Sequence, residues 1–134
     1  MDTTHYGLKT LTPLPMAAAE TMVREALAAE GFGILTEIDV AETLRVKLGV
    51  ERGPYLILGA CNPQLAAQAL DAEADVGLLL PCNVVLYESD EGTVVAAIDP
   101  STMVELTGNP GLESIATEAR ASLERVVAAL AAAA

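Results

Sequence analysis

Two cysteines carry most of the chemistry available to this chain, and each sits in a matching phrase: Gly59-Ala60-Cys61-Asn62-Pro63 and Leu80-Pro81-Cys82-Asn83. Two thiolates suffice for linear Cu(I), and two such pairs brought together across a dimer would make a four-thiolate site for zinc or copper. Cys61 stands just before an expected helix start, where aligned backbone dipoles and free N–H groups favour a thiolate. The same residue is equally a small apolar thiol that fills space at a strand end. Cys82 follows a proline at the entry to a strand, a position that suits packing. No Cys-x-x-Cys spacing occurs, which weakens both a zinc motif and a thioredoxin-like redox pair. The expectation is reduced thiols, at least one of them buried.

The neighbouring polar groups offer three further roles. Asn62 and Asn83 suit backbone bonding at turns, and Asn62 suits a helix cap followed by Pro63 at the first helical position. Glu37, on an expected strand, is either a surface carboxylate pairing with Arg45, Lys47 or Arg52, or a general base near the thiols. Asp99 before Pro100 reads as turn chemistry. An enzyme built on these residues would use Cys61 as nucleophile with Glu37 or Asp99 assisting; the single histidine, His5, lies near the terminus and far along the chain from either cysteine. No phosphate-binding loop, Gly-x-Gly-x-x-Gly, His-Glu-x-x-His or nucleophile-elbow motif is present. The catalytic residues are therefore unassigned, and the sequence requires no cofactor. The candidate ligand-binding set is Cys61, Asn62, Pro63, Cys82, Asn83 and Glu37, with Cys61 and Cys82 as the metal ligands if a metal binds.

Composition narrows the partners. The chain has 134 residues, 52% of them hydrophobic, and a formal net charge of −12 with only seven Lys and Arg. That length suits a single domain, residues 1–134, with a core of its own. The charge argues against nucleic acid and against an anionic membrane, because both need clustered basic side chains. The acidity serves solubility, or else an acidic docking surface. No apolar run approaches the roughly 18 residues of a membrane span, and Met1 to His5 carries no signal-peptide pattern, so a cytoplasmic location is expected.

The elements that must position the cysteines follow from periodicity. A strand is expected from Tyr6 to Leu11, then a helix to about Glu30 with Ala19, Met22, Val23, Ala26 and Leu27 on one face. Gly31 stops that helix, and Phe32 plugs the core beside it. Gly33 to Ile38 alternates as a strand with Ile34, Thr36 and Ile38 on one side. Asp39 and Glu42 suggest a capping box opening a helix to Leu48, with Val40, Leu44 and Leu48 inward. The apolar run from Tyr55 to Ala60 reads as a covered strand, and Gln64 to about Ala72 as a helix. Ala74 to Leu80 is either a short strand or a loop. Asn83 to Ser89 and Thr93 to Ile98 form a hairpin around Asp90-Glu91-Gly92. Ser101 to Leu106 is a short helical turn, and a last helix begins near Leu112, with an Arg120–Glu124 pair on its exposed side. Mixed order with a hairpin favours α+β.

The phrases Glu30-Gly31-Phe32-Gly33, Leu35-Thr36-Glu37-Ile38-Asp39-Val40, Leu58-Gly59-Ala60-Cys61-Asn62-Pro63, Gly77-Leu78-Leu79-Leu80-Pro81-Cys82-Asn83-Val84-Val85 and Ile98-Asp99-Pro100 occur in that order. In these the chain resembles the domain-of-unknown-function 302 family. The resemblance implies a two-layer α+β fold, an antiparallel sheet with helices packed on one side, similar in topology to the TATA-binding-protein class. It also implies a homodimer, and it brings no agreed activity with it. The leading expectation is a non-enzymatic small-ligand or protein-interaction module. The alternatives are soft-metal (Cu(I) or Zn) binding or redox sensing by Cys61 and Cys82, and an enzyme with Cys61 as nucleophile.

Overall fold

Alternating apolar side chains of three strands, with Leu8 of a fourth, build one face of a sheet, and two amphipathic helices bury it. The computed structural model describes residues 2–133. Six strands form the sheet: β1 (Asp2–Thr3), β2 (Gly7–Thr12), β3 (Gly33–Asp39), β4 (Tyr55–Cys61), β5 (Cys82–Ser89) and β6 (Gly92–Ile98). They lie in the order β1-β2-β6-β5-β4-β3, and each neighbouring pair is antiparallel. The helices are α1 (Met16–Ala29), α2 (Val40–Leu48), α3 (Pro63–Ala72), α4 (Ser101–Thr107) and α5 (Glu113–Ala132), with 3-10 turns at Ala74–Leu79 and Pro110–Leu112. The fold is thus α+β, an antiparallel sheet with helices on one face.

The buried face carries Leu8, Leu56, Leu58, Ala60, Val84, Leu86, Val95 and Ala97, and onto it pack Ala19, Val23 and Leu27 of α1 and Leu123, Val126, Val127 and Leu130 of α5. A second cluster lies at the start of α5, where Ile115, Ala116 and Ala119 meet Leu65 and Ala69 of α3, Val76, Met103 of α4 and Leu112. The five large apolar residues that α5 buries contribute on the order of 10 kcal/mol before chain entropy is subtracted. A two-pronged ion pair from Arg125 to Glu30, at 2.8 to 3.1 Å, ties α5 to the end of α1. The Arg125 guanidinium holds the Glu30 carboxyl below its ordinary range. Arg120 reaches Glu124 at 2.7 Å, as its spacing suggests, and also Asp99 at 3.1 Å.

Three local expectations need correction. Ala74–Leu79 is a 3-10 turn, neither strand nor open loop, and it leaves Leu78 87% exposed. Strand β3 does not alternate evenly. A bulge between Ile34 and Thr36 sets Ile34 opposite Ala60 of the buried face, while Thr36 and Ile38 lie opposite Gly59 and Ile57 of the other. One extra residue in a strand shifts every later side chain to the opposite side. Helix α2 buries no residue fully and leaves Leu48 exposed. Its ends nonetheless follow local rules: Asp39 accepts a bond from the Glu42 N–H at 3.0 Å, and Gly49 closes the helix at φ +66°. The Glu42 side chain does not complete a capping box; it binds Arg45 at 2.6 Å.

At Gly59 a glycine is required by contact. A Cβ on Gly59 would overlap the Thr36 hydroxyl and come within 2.8 Å of the Pro81 ring, which joins β4 to the segment entering β5. The Pro81 ring cannot rotate away. Gly59→Ala should therefore destabilise the fold by about 1–3 kcal/mol. Urea melts of both proteins would check this, and an unchanged midpoint would mean that the strands separate freely at this point.

Candidate functional site

The end of β4 is shaped by a cap. Asn62 has extended backbone angles, and its Oδ1 accepts a bond from the Leu65 N–H at 3.3 Å, with Pro63 at the first position of α3. This satisfies one orphan donor of the helix start and sets Cys61 directly before it. The same side chain lies near the turn after α1: its Nδ2 is 3.3 Å from where a Cβ on Gly31 would stand, and Gly31 has φ +83°. The turn after α1 thus closes over the Cys61-Asn62 phrase, and Gly33 pairs with Cys61 across β3 and β4. On the other side Cys82 begins β5 opposite Ala60.

These elements bring Cys61, Asn62 and Cys82 around one small cavity of about 30 Å³ at the seam between the two core clusters. Its remaining wall is apolar, with Phe32, Leu80, Met103 and Ile115 prominent. Both cysteines are unbridged and partly buried. The Cys82 thiol is pushed up to about 11, first by burial and then by the neighbouring Cys61. Cys82 is therefore a neutral thiol at neutral pH.

The other candidates go elsewhere. Pro63 is exposed at the start of α3. Asn83 lies on the uncovered face of the sheet, opposite Gly59, in a shallow depression with Tyr55, Val85 and Tyr87. Glu37 pairs with Arg24 of α1 at 2.9 Å, not with Arg45, Lys47 or Arg52. It lines a separate polar cleft with Glu20, Asp39 and Arg45. Asp99 accepts from the Ser101 N–H at 2.9 Å and binds Arg120, as a turn residue would. Apart from Cys61, Asn62 and Cys82, the cavity wall has no counterpart among the candidate residues. Phe32 was readable only as a core plug, and Met103 sits on a helix too short to show a periodic face. Among the described residues, no three His, Cys, Asp or Glu side chains gather as a metal-binding group.

The family model of the domain of unknown function DUF302 matches residues 8–130. The chain belongs to the DUF302 family. It is similar to the uncharacterized conserved protein DUF302 from Bacillus stearothermophilus, whose crystal structure it matches at 31% identity and a TM-score of 0.83. That match covers 95% of this chain and 97% of the other. Comparison with curated proteins finds no match. The DUF302 assignment accounts for the fold and leaves the activity open. Among the described residues, no helix is long and apolar enough to cross a membrane.

Two outcomes follow for this DUF302 chain. Asn62→Ala should cost about 0.5–2 kcal/mol of stability, and Asn62→Asp should keep most of it, because the cap oxygen remains. Denaturant melts would separate the two variants. The second outcome is a pH dependence. A raised thiol pKa means that the folded state keeps a proton where the unfolded state has lost it. That contribution is intact below the ordinary value of 9.0 and is lost as pH rises towards 11. The loss should reach about 3 kcal/mol across that window. Cys82→Ala should flatten the stability profile between those pH values, and a slope unchanged by the substitution would contradict the burial of this thiol.

Proposed function

We propose that this chain is a non-enzymatic binding module that works as a homodimer and takes its ligand at the Cys61–Asn62–Cys82 cavity. The observation that carries this reading is the cavity lining: thiols, one amide already engaged as a cap, and apolar side chains, with no carboxylate, imidazole or ammonium beside the thiols. A nucleophilic cysteine needs a base within hydrogen-bond reach. Glu37 is held by Arg24 in another cleft, and Asp99 is occupied by Arg120 and its own turn. Alkylation of the folded protein by iodoacetamide at neutral pH should be no faster than that of a free thiol. Rapid, stoichiometric labelling of Cys61 would overturn the reading in favour of thiol catalysis.

The dimer is supported by the uncovered face of the sheet. Register places Tyr55 and Ile57 of β4, Val85 and Tyr87 of β5, and Val94, Ala96 and Ile98 of β6 on that side. Tyr55 and Tyr87 stack there with ring centroids 5.4 Å apart. Among the β2 and β4–β6 residues on this side, only Lys9 is charged. For a chain of net charge −12, self-association elsewhere would press acidic surfaces together. A second copy meeting this face avoids that repulsion and covers the apolar strip. Light scattering at roughly tens of micromolar should give twice the chain mass. Val85→Glu should halve it without changing the far-UV spectrum, and a monomeric wild type would refute the dimer.

A second reading is favoured by one observation. Both cysteines belong to the wall of one cavity, whose volume of about 30 Å³ matches an ion better than an organic molecule. On that reading the ligand is a soft metal ion.

A further inference from the structure

We infer that the depression on the uncovered face of the sheet binds a small planar aromatic acid, with its rings against Tyr55 and Tyr87 and its carboxylate on Lys9. The inference stands apart from the seam cavity and uses none of its residues. The chain has three tyrosines and no tryptophan, and all three tyrosines line this one depression of about 440 Å³. Small-molecule pockets have volumes of roughly 300–1,000 Å³. Antiparallel register explains the hollow. Lys9, Ala96 and Val85 form one row across β2, β6 and β5, and Tyr87 with its partner Tyr55 lies one same-face step along. Ala96 projects only a methyl and Gly7 projects nothing, so the floor stays low. Two strand spacings, about 10 Å, separate Lys9 from Tyr87 across the sheet, which is room for one or two fused rings.

Each group has a chemical consequence. Tyr55 and Tyr87 stack with ring planes 20° apart, and the Arg52 guanidinium lies 5.3 Å from the Tyr55 ring centre. The pair is thus held in place, and a third flat ring extends it by offset or edge contact. Lys9 is the one charged side chain in the depression, and among the described residues it has no ion-pair partner. A carboxylate supplies that partner. A cationic ligand, which the rings alone would attract, is repelled by Lys9. The net charge of −12 opposes an anion at long range, but physiological salt screens charges more than about 8 Å away. Tyrosine hydroxyls and the exposed Asn83 amide leave hydrogen bonds for ring substituents. A second copy meeting this face would roof the depression; binding by one chain does not need it.

The experiment titrates the full chain with 2-naphthoate and follows tyrosine fluorescence, with N-acetyltyrosinamide as the control for absorption by the probe. Without tryptophan, the whole protein signal comes from the depression. The expected result is saturable quenching at one probe per chain. Naphthalene-2-carboxamide, the neutral isostere, and cyclohexanecarboxylate, the non-aromatic acid, should each compete about tenfold more weakly, the order of one charged hydrogen bond or one ring contact. Lys9→Met should weaken 2-naphthoate by about tenfold and remove its advantage over the carboxamide, and Lys9→Arg should restore both. Tyr87→Leu should lower affinity by a similar factor, and Cys82→Ala should leave it unchanged. The ligand preferences are read on the wild-type chain and do not depend on any variant folding. Quenching that never saturates, equal affinity for acid and carboxamide, or a Lys9→Met chain that binds like wild type would each overturn the site. A loss of affinity in Cys82→Ala would also overturn it, by placing the probe in the seam cavity.

Discussion

Helix α5 must serve two cores with one apolar stripe, and the rest of the architecture depends on that constraint. Its second half presses Leu123, Val126, Val127 and Leu130 onto the sheet and α1. Its first half presses Ile115, Ala116 and Ala119 against α3, α4 and the 3-10 turn. A rigid rod bridging two clusters leaves a seam where their packing is independently determined. Small residues at the junction, Ala60, Ala69 and Ala119, let backbones approach without closing it. The cavity is thus a by-product of geometry that the two cysteines and Met103 line. Deep packing elsewhere tolerates few such voids.

Much of this was legible in the sequence where the deciding interaction spans four residues or fewer. The Asn62 and Asp39 caps, the stop at Gly49 and the Arg120–Glu124 pair all close within one helical turn, so their spacing announces them. The hairpin of β5 and β6 was equally plain, because apolar alternation resumes after a short turn. Convergence of Cys61 and Cys82 was not. Their approach rests on the register that sets Ala60 opposite Cys82, with Cys61 the next residue on and alternating to the other side, and no local pattern specifies it. Glu37 shows the same limit from the other side. Nearby basic residues made Arg45, Lys47 or Arg52 the natural partners, and the bulge in β3 instead set Glu37 on the side where Arg24 of α1 lies. Met103 was hidden for a simpler reason, since α4 is seven residues long and cannot display a periodic stripe.

The distribution of charge complements the layering. Acidic residues crowd the helices and turns, while the sheet face opposite the helices carries tyrosine, valine, isoleucine and alanine with little charge. The sheet edges differ from this face. β1 is two residues long, and β3 carries a bulge together with Glu37 and Asp39. Short, bent and charged edges discourage strand addition by another chain. Pairing with another chain at the rims of the sheet is thereby disfavoured.

The pairing of Ala60 with Cys82 also dictates where this chain can change length. Side chains in a strand alternate faces, so inserting or deleting one residue between Leu56 and Cys61, or between Cys82 and Leu86, turns every following side chain over. Such an event would carry a thiol to the opposite side of the sheet and bring apolar core residues into solvent. The stretch around Asp71 to Leu78, by contrast, runs largely at the surface and pairs with no strand. Length variation is therefore better tolerated in the exposed parts of the connection than in the two phrases it joins, provided that Val76 keeps its place in the second core cluster.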